Sequence, residues 1–106
     1  MRQQIEFENY NDSDGNPAGG FVRGTGIDVR WQDGPLGRDE DRQEPNGAFV
    51  EGVIQAAIQR IEYYQASQFG CRENALALTK LQEAMMWLEE RTRGRETRSV
   101  EGTHKV

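Results

Sequence analysis

The sequence predicts an α+β fold, with a small N-terminal antiparallel β-sheet followed by an antiparallel two-helix hairpin, assembling as a homo-oligomer. Three observations predict it. Apolar and polar residues alternate as far as Trp31, and from Pro45 apolar residues recur every three to four positions. Core-forming residues are also scarce: Leu, Ile, Val and Phe supply twenty of 106 residues, or about 19%, against the roughly 20% below which a chain struggles to bury a core. A net charge of only −5 and clear helical periodicity argue against disorder. The missing burial is therefore expected at contacts between copies of the chain.

Taken in order, residues 4–8 and 20–32 alternate, with Phe21, Ile27, Val29 and Trp31 on half-buried strands. The intervening 11–19, rich in Asn, Asp and Gly, reads as loop, and Asp33-Gly-Pro-Leu-Gly37 as a turn. About three strands result, too few to stand alone. Residues 37–46 read as a charged, mobile loop. Asn46 is the expected N-cap of a helix over about 47–68, with Val50, Ile54, Ala57, Ile61, Tyr64 and Gln68 on its apolar face. Gly70 ends it. A second helix, about 73–93, presents Ala77/Leu78, Leu81, Ala84/Met85 and Leu88, and the short Phe69-Gly-Cys-Arg72 connection makes the pair an antiparallel hairpin. Val53, Ile58, Leu76, Met86 and Trp87 lie beyond that seam and are candidates for subunit contacts. The tail 94–106 leaves the helix near Gly94 and is a candidate for disorder on composition. The whole is read as one domain, 1–106: β portion 1–36, charged loop 37–46, hairpin 47–93 and tail 94–106.

Composition removes several function classes. No run approaches the 18–20 apolar residues of a membrane span, and MRQQIEFENY lacks the apolar stretch of a signal peptide, so a cytosolic protein is expected. One cysteine, Cys71, and one histidine, His104, exclude a disulfide framework and a multi-thiolate or histidine-rich metal site. Asp12-Ser-Asp-Gly-Asn16 is similar to the start of a calcium loop, but Arg23 stands where its twelfth-position acid belongs, so an Asx-rich turn is the better reading. Gly24-Thr-Gly26 has no following helix and reads as a bend or bulge, not a phosphate loop. Cys71 and His104 lack an orienting third group for nucleophilic catalysis. Glu62, Glu89 and Glu90 read as solvated or Arg-paired. No enzyme and no cofactor are expected.

Charge is distributed unevenly. Arginine outnumbers lysine eleven to two, and Arg91, Arg93, Arg95, Arg98 and Lys105 crowd the C-terminal end. Arginine suits bidentate phosphate contact and stacking on a base, while the acidic total disfavours DNA or RNA polymers as partners. Arg91 and Arg95 share one side if the helix persists past Gly94. The plain alternative is a basic cluster complementing the helix dipole. The sharper reading joins both arginines to an aromatic, Tyr64 or Tyr63, and to the amide of Asn74. Seventeen residues of helix, about 25 Å, separate Asn74 from Arg91, so such a site needs two hairpins packed tip to base.

The segments Gly34-Pro-Leu-Gly37, Pro45-Asn-Gly-Ala-Phe-Val-Glu51, Arg72-Glu-Asn-Ala75, Leu88 to Thr92 and Ser99-Val-Glu-Gly-Thr-His104 together resemble the phage helical-hairpin family shared by Thoeris anti-defence and anti-CBASS sponge proteins. The resemblance spans about residues 20–106, and the N-terminal β portion makes it closer to the Thoeris branch. It implies homo-oligomers, such as hexamers built from dimers, that sequester cyclic nucleotide signals without degrading them in the cytoplasm of the infected bacterial host. The implied ligand is a cyclic ADP-ribose-type signal, glycocyclic ADP-ribose, with Tyr64, Asn74, Arg91 and Arg95 as its contacts. Cyclic di- or trinucleotides are implied at separate sites, with Arg72 and either Arg42 or Arg38. Alternatives are an anti-CBASS sponge with cyclic oligonucleotides as main ligands, and a hairpin adaptor that binds no small ligand.

Overall fold

The computed structural model describes residues 1–106. They form strands β1 (Glu6–Asn11), β2 (Pro17–Gly24) and β3 (Ile27–Trp31), a 3-10 turn over Asp39–Asp41, and helices α1 (Val50–Gln65) and α2 (Arg72–Thr97). This is the expected α+β order. The chain divides into two compact units, Met1–Phe49 with Val100–Val106, and Val50–Ser99. No helix is long and apolar enough to cross a membrane.

In the first unit the sheet order is β1-β2-β3, antiparallel throughout. The register aligns Phe7, Val22 and Val29 in one row and Glu8, Phe21 and Arg30 in the next. Since side chains alternate between faces, the first row belongs to an apolar face and the second to a charged one. On the charged face Arg23 faces both Glu6 and Asp28 across the strands, and its guanidinium lies 4.2 Å from the Phe21 ring centroid. The apparent single run 20–32 is a hairpin: Gly24 pairs with Ile27, so Thr25-Gly26 is the tight bend. The first loop is shorter than expected, because β1 continues to Asn11 and β2 already begins at Pro17. Within it Asp12 Oδ1 accepts the backbone N–H groups of Asp14 at 2.9 Å and Asn16 at 3.0 Å. These bonds, that of Asn16 foremost, hold the Asp12 carboxyl below its ordinary value, with the nearby His104 side chain contributing.

Residues after β3 depart from the sequence reading. Asn46 does not cap α1. Its side-chain oxygen accepts the Asp33 N–H at 2.8 Å, its amide donates to the Asp33 carbonyl at 3.0 Å, and its own N–H donates to Gln32 Oε1 at 2.8 Å. Ala48 then pairs in parallel with Trp31, donating to the Arg30 carbonyl at 2.7 Å and accepting from the Gln32 N–H at 2.9 Å. A single parallel bridge is thus made where helix was expected, and α1 begins only at Val50. Gly47 permits it, since a Cβ there would lie 2.6 Å from the Trp31 carbonyl carbon.

The charged loop and the tail hold each other. Gly37 N–H donates to the Gly102 carbonyl at 2.8 Å, Arg38 donates to the Glu101 carbonyl at 3.0 Å, and Arg42 reaches the Glu101 carboxylate at 2.7 Å. Composition suggested mobility for one and disorder for the other. Neither reading takes account of their mutual pairing, which satisfies backbone groups that would otherwise need water. Gly102 sits at φ +77°, and a Cβ there would lie 2.4 Å from the Gly37 carbonyl oxygen.

Gly102→Ala is therefore expected to cost about 2 kcal/mol through strain and loss of this clasp. Urea unfolding of the full chain measures it, and a loss below about 0.5 kcal/mol, typical of a neutral surface change, would show the clasp to be dispensable.

Candidate functional site

The second unit is the helical hairpin. On α1 the half-buried positions are Glu51, Ile54, Ile58, Ile61 and Gln65, and on α2 they include Asn74, Leu78, Leu81, Met85, Leu88, Thr92 and Arg95. Both sets alternate steps of three and four, the heptad spacing of a coiled coil. This changes the α1 register. Ile58, assigned to outer surface from the sequence, belongs to the seam, whereas Ala57 and Tyr64 are exposed. The expected stripe was offset because Ala57 and Tyr64 also fall at helical spacing, and periodicity alone does not distinguish two adjacent stripes.

The connection is tight. The Gln65 side chain accepts the Cys71 N–H at 2.8 Å and donates to the Cys71 carbonyl at 3.0 Å. One seam residue therefore closes the loop and stops α1 at Gln65, short of the expected 68. Cys71, the residue before α2, is exposed.

At its other end α2 runs through Gly94 to Thr97, past the expected stop near Gly94. A helical glycine costs only about 1 kcal/mol relative to alanine. Two local interactions oppose that cost: Arg93 pairs with Glu90 one turn earlier, and Thr97 Oγ1 donates to the Arg93 carbonyl at 3.0 Å. Ser99, at φ +59°, then ends the helix in the left-handed conformation. With 16 residues in α1 and 26 in α2, the helices measure about 24 and 39 Å. Once the five seam positions of α1 are matched from the connection, Thr92 and Arg95 lie beyond its start.

The sequence-predicted residues are distributed accordingly. Tyr64 and Asn74 stand at the tip, on either side of the connection. Asn74 is half-buried in the first layer of the α2 stripe. Arg91 and Arg95 stand one turn apart on the overhanging end of α2, Arg91 exposed and Arg95 half-buried. One hairpin brings together neither Tyr64 with Arg91 nor Asn74 with Arg95. Arg72 is exposed at the first position of α2. Arg38 and Arg42 lie in the other unit, both engaged with Glu101.

Sequence reasoning missed Arg60. Its Nε–H donates to the Tyr64 hydroxyl at 3.1 Å, and its guanidinium carbon lies 5.0 and 4.9 Å from the Tyr63 and Tyr64 ring centroids. The two rings meet edge to face, 6.0 Å apart. The signal was available as Arg60, Tyr63 and Tyr64 at i, i+3 and i+4.

An N-terminal sheet followed by an antiparallel hairpin with coiled-coil spacing, an aromatic-amide tip and an arginine-rich base, defines a helical-hairpin protein. Residues 24–93 match the family model described as Acb2/Tad1, hairpin domain. The chain is 49% identical over 77 residues to Thoeris anti-defense 1 of Bacillus phage SBSphiJ7, an alignment covering 73% of this chain and 51% of that protein. The chain belongs to the Acb2/Tad1 hairpin family. It spans about half the length of the curated relative it matches.

The seam register has a direct test. Ile58→Ala is expected to destabilise the protein by about 2 kcal/mol, the low end for truncating a core aliphatic because the site is only half-buried, while Ala57→Ser stays within about 0.5 kcal/mol. Equal midpoints in urea would restore the sequence-based register.

Proposed function

We propose that this chain is a phage anti-defence sponge that binds and sequesters cyclic ADP-ribose-type immune signals, glycocyclic ADP-ribose in particular, without degrading them. It would thereby block Thoeris effector activation in the host cytoplasm. The observation that carries the reading is the separation of two complementary groups on one rigid hairpin. Arg91 and Arg95, one turn apart, suit a dianionic pyrophosphate, and Tyr64 and Asn74 suit the face and edge of an adenine. The groups lie about 25 Å apart along α2, so the site is completed by a second hairpin packed tip to base. Family membership supports the same reading, as does similarity to the phage protein Thoeris anti-defense 1.

Exposed surface supports the assembly. The chain exposes 8591 Å² with no fully buried hydrophobic side chain. Size scaling assigns about 6,000 Å² to a compact protein of 12.1 kDa, and about 7,200 Å² even to two separate bodies of half that mass. Val53, Leu76, Met86 and Trp87, 40–68% exposed, are apolar surface available to other copies. A homo-oligomer, a hexamer built from dimers, is the expected form. A second reading, with cyclic di- or trinucleotides as ligands, is favoured by the exposed and unpartnered Arg72. The family resemblance implies either Arg42 or Arg38 as its partner.

Incubation with glycocyclic ADP-ribose, removal of free ligand and heat denaturation should return the signal intact. Hydrolysed product would replace the sponge with an enzyme. Arg91→Ala with Arg95→Ala should abolish that binding and spare cyclic trinucleotide binding, with Arg72→Ala doing the reverse. Loss of both ligands from either change, in correctly assembled protein, would contradict separate sites.

The shared site has its own test. Tyr64→Ala protein and Arg91→Ala protein should each fail to bind, yet regain part of the binding when mixed and allowed to exchange subunits. Two protomers of different kind then form one intact site between them. Mixtures that exchange but remain inactive would place the site within a single hairpin.

A further inference from the structure

Tyr63 and Tyr64 both stand at the hairpin tip, and the ligand reading given above needs only one of them to stack on a base. Their surroundings differ. Tyr64 is 40% exposed and its hydroxyl accepts the Arg60 Nε–H at 3.1 Å, whereas Tyr63 is 65% exposed and its hydroxyl has no hydrogen bond within the chain. The Arg60 guanidinium lies within 5.0 Å of both ring centroids, yet a directional bond restrains only the second ring. A ring tethered through its hydroxyl samples fewer conformers before any ligand arrives, which lowers the ordering cost of binding. A cation held against an aromatic ring is attracted by the ring's quadrupole.

We infer that Arg60 is a positioning residue for base stacking: it fixes Tyr64 through the hydroxyl, and so makes Tyr64 rather than Tyr63 the platform for the adenine of the bound nucleotide. The inference rests on the sponge reading and deepens it. Arg60 lies four residues before Tyr64 on α1, the spacing at which helical side chains meet, so the arrangement is built into one element and needs no second subunit. The bond is specific to tyrosine, since phenylalanine at position 64 would keep the ring and lose the acceptor. The hydrogen bond from Nε is thus the directional restraint on the ring, beside the guanidinium's approach to the Tyr64 centroid.

The test is a double-substitution cycle on the full-length protein, read by calorimetric affinity for glycocyclic ADP-ribose and by the loss of adenine absorbance near 260 nm that accompanies stacking. Arg60→Ala is expected to weaken binding about tenfold and to reduce the absorbance change. Tyr64→Phe should weaken binding by a smaller factor. The double variant should bind no worse than Arg60→Ala alone, because the two changes remove one interaction. Tyr63→Ala should bind within about twofold of the unaltered protein. Helical circular dichroism and assembly mass confirm that each variant is folded, as expected for exposed positions. If the unaltered protein fails to bind the signal, the sponge reading falls and this inference with it. If it binds but the losses multiply independently, or Tyr63→Ala proves the more damaging change, Arg60 loses its assigned role and the sponge reading stands.

Discussion

Everything in the second unit depends on one packing constraint, the heptad seam between α1 and α2. Ile54, Ile58 and Ile61 on one helix and Leu78, Leu81, Met85 and Leu88 on the other occupy alternating steps of three and four. Two helices can keep such stripes in register only by lying side by side. The seam therefore assigns every other side chain a place. Polar seam residues survive only at its ends, where Gln65 closes the loop and Asn74 and Arg95 occupy terminal layers. Residues one position off the stripe, such as Arg91, are turned outward but still held on a rigid rod. The hairpin is in effect a ruler about 39 Å long with different chemistry at each end.

The first unit solves a different problem with the same shortage of apolar residues. Three strands cannot bury both faces, and no hydrophobic side chain in the chain is fully buried. Backbone pairing therefore does much of the organising. The Gly47-Ala48 segment adds a parallel bridge to β3, and residues 100–106 return to bond the 37–42 loop. Hydrogen bonds of this kind each contribute only about 1 kcal/mol net, so they select a conformation more than they stabilise it. The glycines at 47 and 102 follow from that use of backbone: each stands where a second chain segment approaches too closely for a Cβ.

The parts of the fold legible in the sequence were those governed by local periodicity. Alternation in residues 4–8 and 20–32 revealed strands, and the recurrence of Leu81, Ala84/Met85 and Leu88 revealed α2. The N-terminal boundary of α1 was not legible, since Asn46 has the composition of a cap but is engaged by Asp33 and Gln32, thirteen or more residues away. The α1 stripe was ambiguous for a related reason, because Ile58 and Ala57 are adjacent and only the partner helix decides between them. The tail was illegible because its order comes from Gly37, Arg38 and Arg42, more than fifty residues earlier. At the candidate site the residue types and their spacing along each helix could be read directly. The orientation of Arg60 toward Tyr64 could not, because spacing permits that pairing without requiring it.

Separating the two chemistries along one rod has a consequence for stoichiometry. If tips meet bases in a two-fold dimer, the contact is isologous, so the operation that places one tip against one base also places the other pair. Two equivalent sites then arise from a single packing solution, with no further sequence required. Each site draws on both chains, so an isolated protomer has only half of each. Ligand and assembly are consequently linked: whatever binds between protomers favours the dimer over the separated chains by mass action. In that arrangement a chain with few core residues would gain order from its own copies and from its ligand together. For the proposed nucleotide that linkage would favour retention, because release would require rearranging a subunit contact as well as breaking the contacts to the ligand.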